Sequence, residues 1–84
     1  MTQRLGIVMD PIEHIKPWKD TSFAMLLEAS RRGWELFYMT PADLLVKDGR
    51  LMGLAARIAV FDDNQRWFEK QPAELLDLTS LDFL

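Results

Sequence analysis

A short apolar run, Leu5-Gly6-Ile7-Val8-Met9, stops at Asp10-Pro11, and that stop constrains the fold more than any other feature of the chain. Proline has no N–H to give to a ladder, so a strand over this run ends by Asp10. A loop bounded by Pro11 and Pro17 follows, from Ile12 to Lys19. Asp20, Thr21 or Ser22 can then cap a helix by accepting a hydrogen bond from its free N–H groups. From Thr21 to Arg32 the pattern is amphipathic: Phe23, Leu26, Leu27 and Ser30 share one face, and Glu28, Arg31 and Arg32 point away. Gly33 suits the left-handed residue that ends many helices. A second apolar run, Trp34 to Met39, is rich in aromatic residues. Strand, loop, helix, glycine and strand make a βαβ unit, with two parallel strands and a right-handed crossover. Ligands of open α/β sheets collect at the carboxyl ends of such strands. The loop opening at Asp10-Pro11 is therefore the first candidate site.

Beyond Met39 the signals shorten. Thr40-Pro41-Ala42-Asp43 reads as a brief helix start, with Thr40 as cap and Pro41 at the first position. Lys47-Asp48-Gly49-Arg50 is a hairpin turn, because Asp-Gly readily takes the positive φ angles of type I′. Leu44–Val46 should thus pair antiparallel with Leu51–Met52. Leu54 to Phe61 alternates like a strand, with Leu54, Ala56, Ile58 and Val60 on one face. Asp62-Asp63-Asn64-Gln65 is a polar break, Trp67-Phe68 an apolar island, and Pro72 to Leu76 reads as one helical turn. Leu78 to Leu84 then rises into what reads as the start of another buried strand. An apolar end of this kind is unlike the polar, frayed ends of finished domains. The expectation is a fragment of a longer protein.

The 84 residues fit one small domain, 1–84. A chain this short buries only about 60–65% of its unfolded surface. With 49% hydrophobic and 27% charged residues, wholesale disorder is excluded. Cysteine is absent, which removes disulfides, thiol chemistry and Cys-based metal sites. The net charge of −3, from 10 basic and 13 acidic residues, argues against nucleic acid, which favours a clustered basic face. Arg31-Arg32, the densest basic pair, sits where it complements a helix dipole. No apolar stretch approaches the roughly 20 residues that span a bilayer. Met1-Thr2-Gln3-Arg4 runs into a strand rather than a secretory signal. The sequence is thus expected to be soluble and cytoplasmic, with no membrane partner.

Little in the chain carries self-sufficient chemistry. No G-x-G-x-x-G and no phosphate loop follows the first strand, so a glycine-rich nucleotide cradle is missing. Asp10, Glu13 and His14 are a weak metal set, and a solvated loop is the preferred reading. His14 is the only histidine, and no G-x-S-x-G elbow accompanies it. Asp10 has two open roles: it faces the crevice and accepts hydrogen bonds from a substrate ammonium or amide, or it caps its own turn. Asp20-Thr21-Ser22 is first a helix cap and second a ligand-facing helix start. Trp18, Trp34 and Trp67 are dispersed and read as packing residues, and Asp62-Asp63 as a solvated turn.

These residues also resemble a family. G-I-V-M-D-P-I at Gly6–Ile12, K-D-T-S-F-A-M-L-L-E-A at Lys19–Ala29 and R-R-G-W-E-L-F-Y-M at Arg31–Met39 look like the start of bacterial glutathione synthetase. A-D-L at Ala42–Leu44, D-G at Asp48-Gly49, W-F at Trp67-Phe68 and L-T-S-L-D-F-L at Leu78–Leu84 fit in the same order. The resemblance covers essentially the whole chain.

It implies a fold and a reaction. The fold would be α/β: a three-layer, Rossmann-like pre-ATP-grasp domain, its sheet mostly parallel with an appended antiparallel hairpin, truncated at its C-terminal strand. The full-length enzyme would be an ATP-grasp ligase, in which ATP phosphorylates the carboxylate of γ-glutamylcysteine and the amine of glycine attacks the acyl phosphate. Magnesium would bridge the phosphates. The family's ATP and metal ligands lie beyond the part matched here. The fragment is therefore expected to have no catalytic or metal-ligating residue, to bind no cofactor and to be inactive alone. Its contribution would be one wall of the substrate crevice, through Met9, Asp10, Pro11, Ile12 and Ser22. An exposed edge where further chain should pack leads us to expect a homo-oligomer. The rival readings are a non-catalytic α/β binding or dimerisation module and a flavodoxin-like receiver. The receiver would need further acidic residues and a lysine around Asp10.

Overall fold

The structure, a computed structural model, describes residues 3–83. The first apolar run forms β1 (Arg4–Val8). Asp20 opens α1 (Thr21–Arg31) by accepting a hydrogen bond from the Phe23 amide at 2.8 Å. Gly33 takes φ +75°, where a side chain is costly, and turns the chain into β2 (Glu35–Met39). β1 and β2 pair in parallel, from Arg4 opposite Glu35 to Val8 opposite Met39. The βαβ unit forms as the sequence predicts. The buried helix face, however, is Phe23, Leu26 and Ala29, while Ser30 is exposed.

A 3-10 turn over Pro41–Asp43 follows, its Asp43 carboxylate accepting from Thr40 N at 2.8 Å and from Thr40 Oγ1 at 2.9 Å. It leads into β3 (Leu44–Lys47), and Asp48 and Gly49, at φ 53° and 76°, make the hairpin into β4 (Arg50–Val60). The sequence reads β4 as two pieces, yet it is one strand of 11 residues. Gly53 does not break it, because the missing side chain is where Met39 packs: a Cβ there would stand 2.6 Å from Met39 Sδ. Ala56, Ile58 and Val60 join α1 in the main core, which stops short of Leu54. Leu54 is therefore exposed, and Ala55 is buried on the opposite face with Met39 and Leu78.

Both edges of β4 are taken. β2 and β3 pair with successive stretches of one edge, at Ala56–Arg57 and Arg50–Gly53. The other edge receives β5 (Phe68–Lys70) and β6 (Glu74–Asp77). The helical turn expected over Pro72–Leu76 is thus overturned by a strand. Pro72 falls in the gap between β5 and β6, where its missing N–H costs no ladder bond; the Gln71 amide donates to Arg57 O at 2.9 Å just before it.

The expected mostly parallel sheet is also corrected. Among the described residues only β1–β2 is a parallel ladder between strands, and the other four ladders of the six-stranded sheet are antiparallel. Parallel pairing needs a crossover of a dozen or more residues, and only the segment from Met9 to Trp34 supplies one. The rest of the chain returns through tight turns. Nor are three full layers present among the described residues. The single α-helix covers one face, and the 3-10 turn Leu78–Ser80 covers part of the other through Leu78.

In place of the buried strand expected over Leu78–Leu84, the described residues form the 3-10 turn Leu78–Ser80 and then a single bridge against the free edge of β1. Leu5 and Phe83 form a parallel bridge, with the Gly6 amide donating to Phe83 O at 2.9 Å. Phe83 is half-exposed and stacks on Trp34, ring centroids 5.0 Å apart. Leu84 lies outside the described residues, as do Met1 and Thr2.

Candidate functional site

The loop after β1 lies at the carboxyl end of the parallel pair. The Met9 amide donates to Met39 O at 3.0 Å, carrying the pairing one residue beyond Val8. Asp10 and Pro11 then emerge into solvent, while Met9 is buried. A short 3-10 turn, Ile12–His14, forms inside the expected loop, the His14 amide donating to Pro11 O at 2.9 Å.

Ile12 anchors this turn. Its side chain is 0% exposed, its N–H donates to the Tyr38 hydroxyl at 3.0 Å, and its carbonyl accepts from Trp67 Nε1 at 2.9 Å. Beside it Lys70 Nζ lies 2.6 Å from Glu13 Oε2 and 5.4 Å from the centre of the Tyr38 ring. Their mutual hydrogen bond holds the Glu13 carboxyl below its ordinary range and the Lys70 ammonium above its own.

The five candidate residues divide accordingly. Met9 and Ile12 face the core, so their side chains support the loop from beneath. Asp10 and Pro11 face solvent, and Ser22 is half-buried in the first turn of α1. Among the described residues no hydrogen bond reaches the Asp10 carboxylate, whereas Asp20, Asp63 and Asp77 each accept from a nearby backbone amide. The turn is closed by backbone instead. Of the weak metal set, Glu13 is engaged by Lys70, and no group of three or more His, Asp or Glu among the described residues is arranged to share a cation.

Sequence reasoning missed Tyr38, Trp67 and Lys70. It treated Trp67 as packing, and nothing local links residue 67 to residue 12; the pairing of β5 with β4 makes the link. A wider depression of about 740 Å³ lies elsewhere, lined mostly on the face away from α1 by residues including Glu35, Phe37, Arg57 and Glu74. Its Glu35 is already engaged, 3.3 Å from Arg4 and 3.6 Å from Arg57. It is open and sits at the amino end of β2, so the loop after β1 remains the better candidate.

Residues 3–84 match the family described as prokaryotic glutathione synthetase, N-terminal domain. The chain belongs to this family. It is 49% identical to the glutathione synthetase of Pseudomonas aeruginosa over 84 residues, which is 100% of this chain and 26% of that protein. The glutathione synthetase of Salmonella typhi is 47% identical over 81 residues, covering 96% of this chain and 26% of the relative. That of Coxiella burnetii is 39% identical over 84 residues, again 26% of its length. The chain thus spans about a quarter of these glutathione synthetases, at their N-terminal domain. Among the described residues no helix is long and apolar enough to cross a membrane.

Proposed function

We propose that the chain is the N-terminal, pre-ATP-grasp domain of a cytoplasmic, ATP-dependent ligase that joins γ-glutamylcysteine to glycine. In this reading residues 1–84 form a Rossmann-like, substrate-side unit, and Met9–Ile12 with Ser22 make one wall of the crevice. The family match over residues 3–84 carries the proposal. The exposure of Asp10 at the carboxyl end of the β1–β2 pair supports the choice of wall.

The chain's own part is binding and orientation. Asp10 accepts hydrogen bonds from the ammonium or amide groups of the dipeptide, and Pro11 restricts the backbone of Asp10 to extended conformations. Met9 and Ile12 hold the loop from below, and Ser22 offers a hydroxyl at the start of α1. ATP and magnesium do not fit the residues described here, which offer neither a glycine-rich cradle after β1 nor a clustered carboxylate set. The reading assigns both to the part of the protein beyond this span, and the domain alone is inactive.

Asp10→Ala in the intact protein should raise KM for the dipeptide roughly tenfold, as loss of one charge-assisted contact does. Its circular dichroism should match the parent's. Unchanged kinetics would sink the assignment of Asp10. Titration of chain 1–84 with ATP and magnesium should give no saturable binding, and tight binding would reverse the division of labour.

A further inference from the structure

We infer that Tyr38 and Trp67, assisted by Lys70, are positioning residues that fix the backbone from which the Asp10 side chain projects. The inference rests on the substrate-side reading of the loop and adds how that loop is held. Surface loops usually hand their backbone groups to water. Here one loop residue gives both of its backbone groups to side chains from distant parts of the sheet. The Ile12 N–H goes to Tyr38, 26 residues away, and the Ile12 carbonyl to Trp67, 55 residues away. The side chain of the same residue is completely buried. The Glu13–Lys70 pair at 2.6 Å adds a third tie, from the last residue of β5, three residues beyond Trp67.

Only Pro11 stands between this fixed point and Asp10. Its ring locks φ, which is −50° here, so little backbone freedom separates the clamp from Asp10. On the other side Met9 is tied to Met39 through its amide. Asp10 is thus held between two anchored residues while its own side chain stays in solvent. A site in which binding depends on geometry loses much when a supporting group shifts it by a fraction of an ångström.

The test uses the intact protein with Tyr38→Phe, which keeps the ring and removes the acceptor, and with Trp67→Phe. Amide exchange at Ile12 should rise roughly tenfold in Tyr38→Phe. KM for γ-glutamylcysteine should rise about tenfold in each variant, with KM for ATP unmoved. Combined with Asp10→Ala, Tyr38→Phe should add little further, because both act through one contact. Unchanged exchange at Ile12 would overturn the clamp. A raised KM in Asp10→Ala with none in Tyr38→Phe would overturn the positioning role and leave the site reading standing. Faster exchange with no KM effect in either Tyr38→Phe or Asp10→Ala would overturn the site reading, and the positioning role with it.

Discussion

Asp20 starts α1 with one hydrogen bond, its carboxylate receiving the Phe23 amide at 2.8 Å. Asp20→Ala should lower the unfolding free energy by about 1 kcal/mol, measured by urea denaturation. Two glycines separate two kinds of cost. At Gly33 a Cβ would meet nothing within 4 Å, so Gly33→Ala is penalised only by φ +75°, by about 1–2 kcal/mol. At Gly53 a Cβ would stand 2.6 Å from Met39 Sδ, and Met39 is itself wholly buried. Gly53→Ala is expected to cost about 1–3 kcal/mol through overpacking, read from the same denaturation curves. Glu13 carries a pH dependence. Its carboxyl is held low by Lys70, so the folded state favours the ionised form. That contribution is present above the ordinary carboxylate range and fades as pH falls through the lowered value. Glu13→Gln should flatten this acid-side loss in a comparison of stability at neutral and acid pH. Lys70 mirrors it, its contribution fading as pH rises through the raised value. Both side chains are partly exposed, which keeps the effects small.

Elements defined by local chemistry were legible in the sequence. The βαβ unit is set by apolar runs, a capping aspartate and a glycine, and the β3–β4 hairpin by Asp48-Gly49. β6 was not legible, because Glu74-Leu75-Leu76-Asp77 has no pattern of its own that excludes a helical turn. Its extended form comes from the unpaired edge of β4 at Met52–Ala55, a partner remote in sequence. Leu54 illustrates the same limit, since alternation predicts its side but not how far the cover of α1 reaches. At the candidate site the exposed pair Asp10-Pro11 could be found from a strand end. The clamp on Ile12 could not, because it joins Tyr38 of β2 and Trp67, just before β5, to a loop far from both in sequence.

Across the whole molecule the apolar surface is incompletely covered. Val46, 72% exposed, stands opposite Leu51, and Leu44 lies two residues along on the same face of the hairpin. Exposed apolar residues grouped along an edge favour association. Chain 1–84 alone is expected to self-associate at micromolar concentration in analytical ultracentrifugation; a clean monomer would contradict this.

The position of β4 in the chain also has a consequence during synthesis. It ends at Val60, but the segments that seal its second edge run on to Asp77. At the usual rate of roughly 5–20 residues per second, the nascent chain carries that bare edge for about one to three seconds. The ribosome therefore releases its most connected strand before the partners that protect it, and an encounter with a chaperone or a second nascent chain has its opening there.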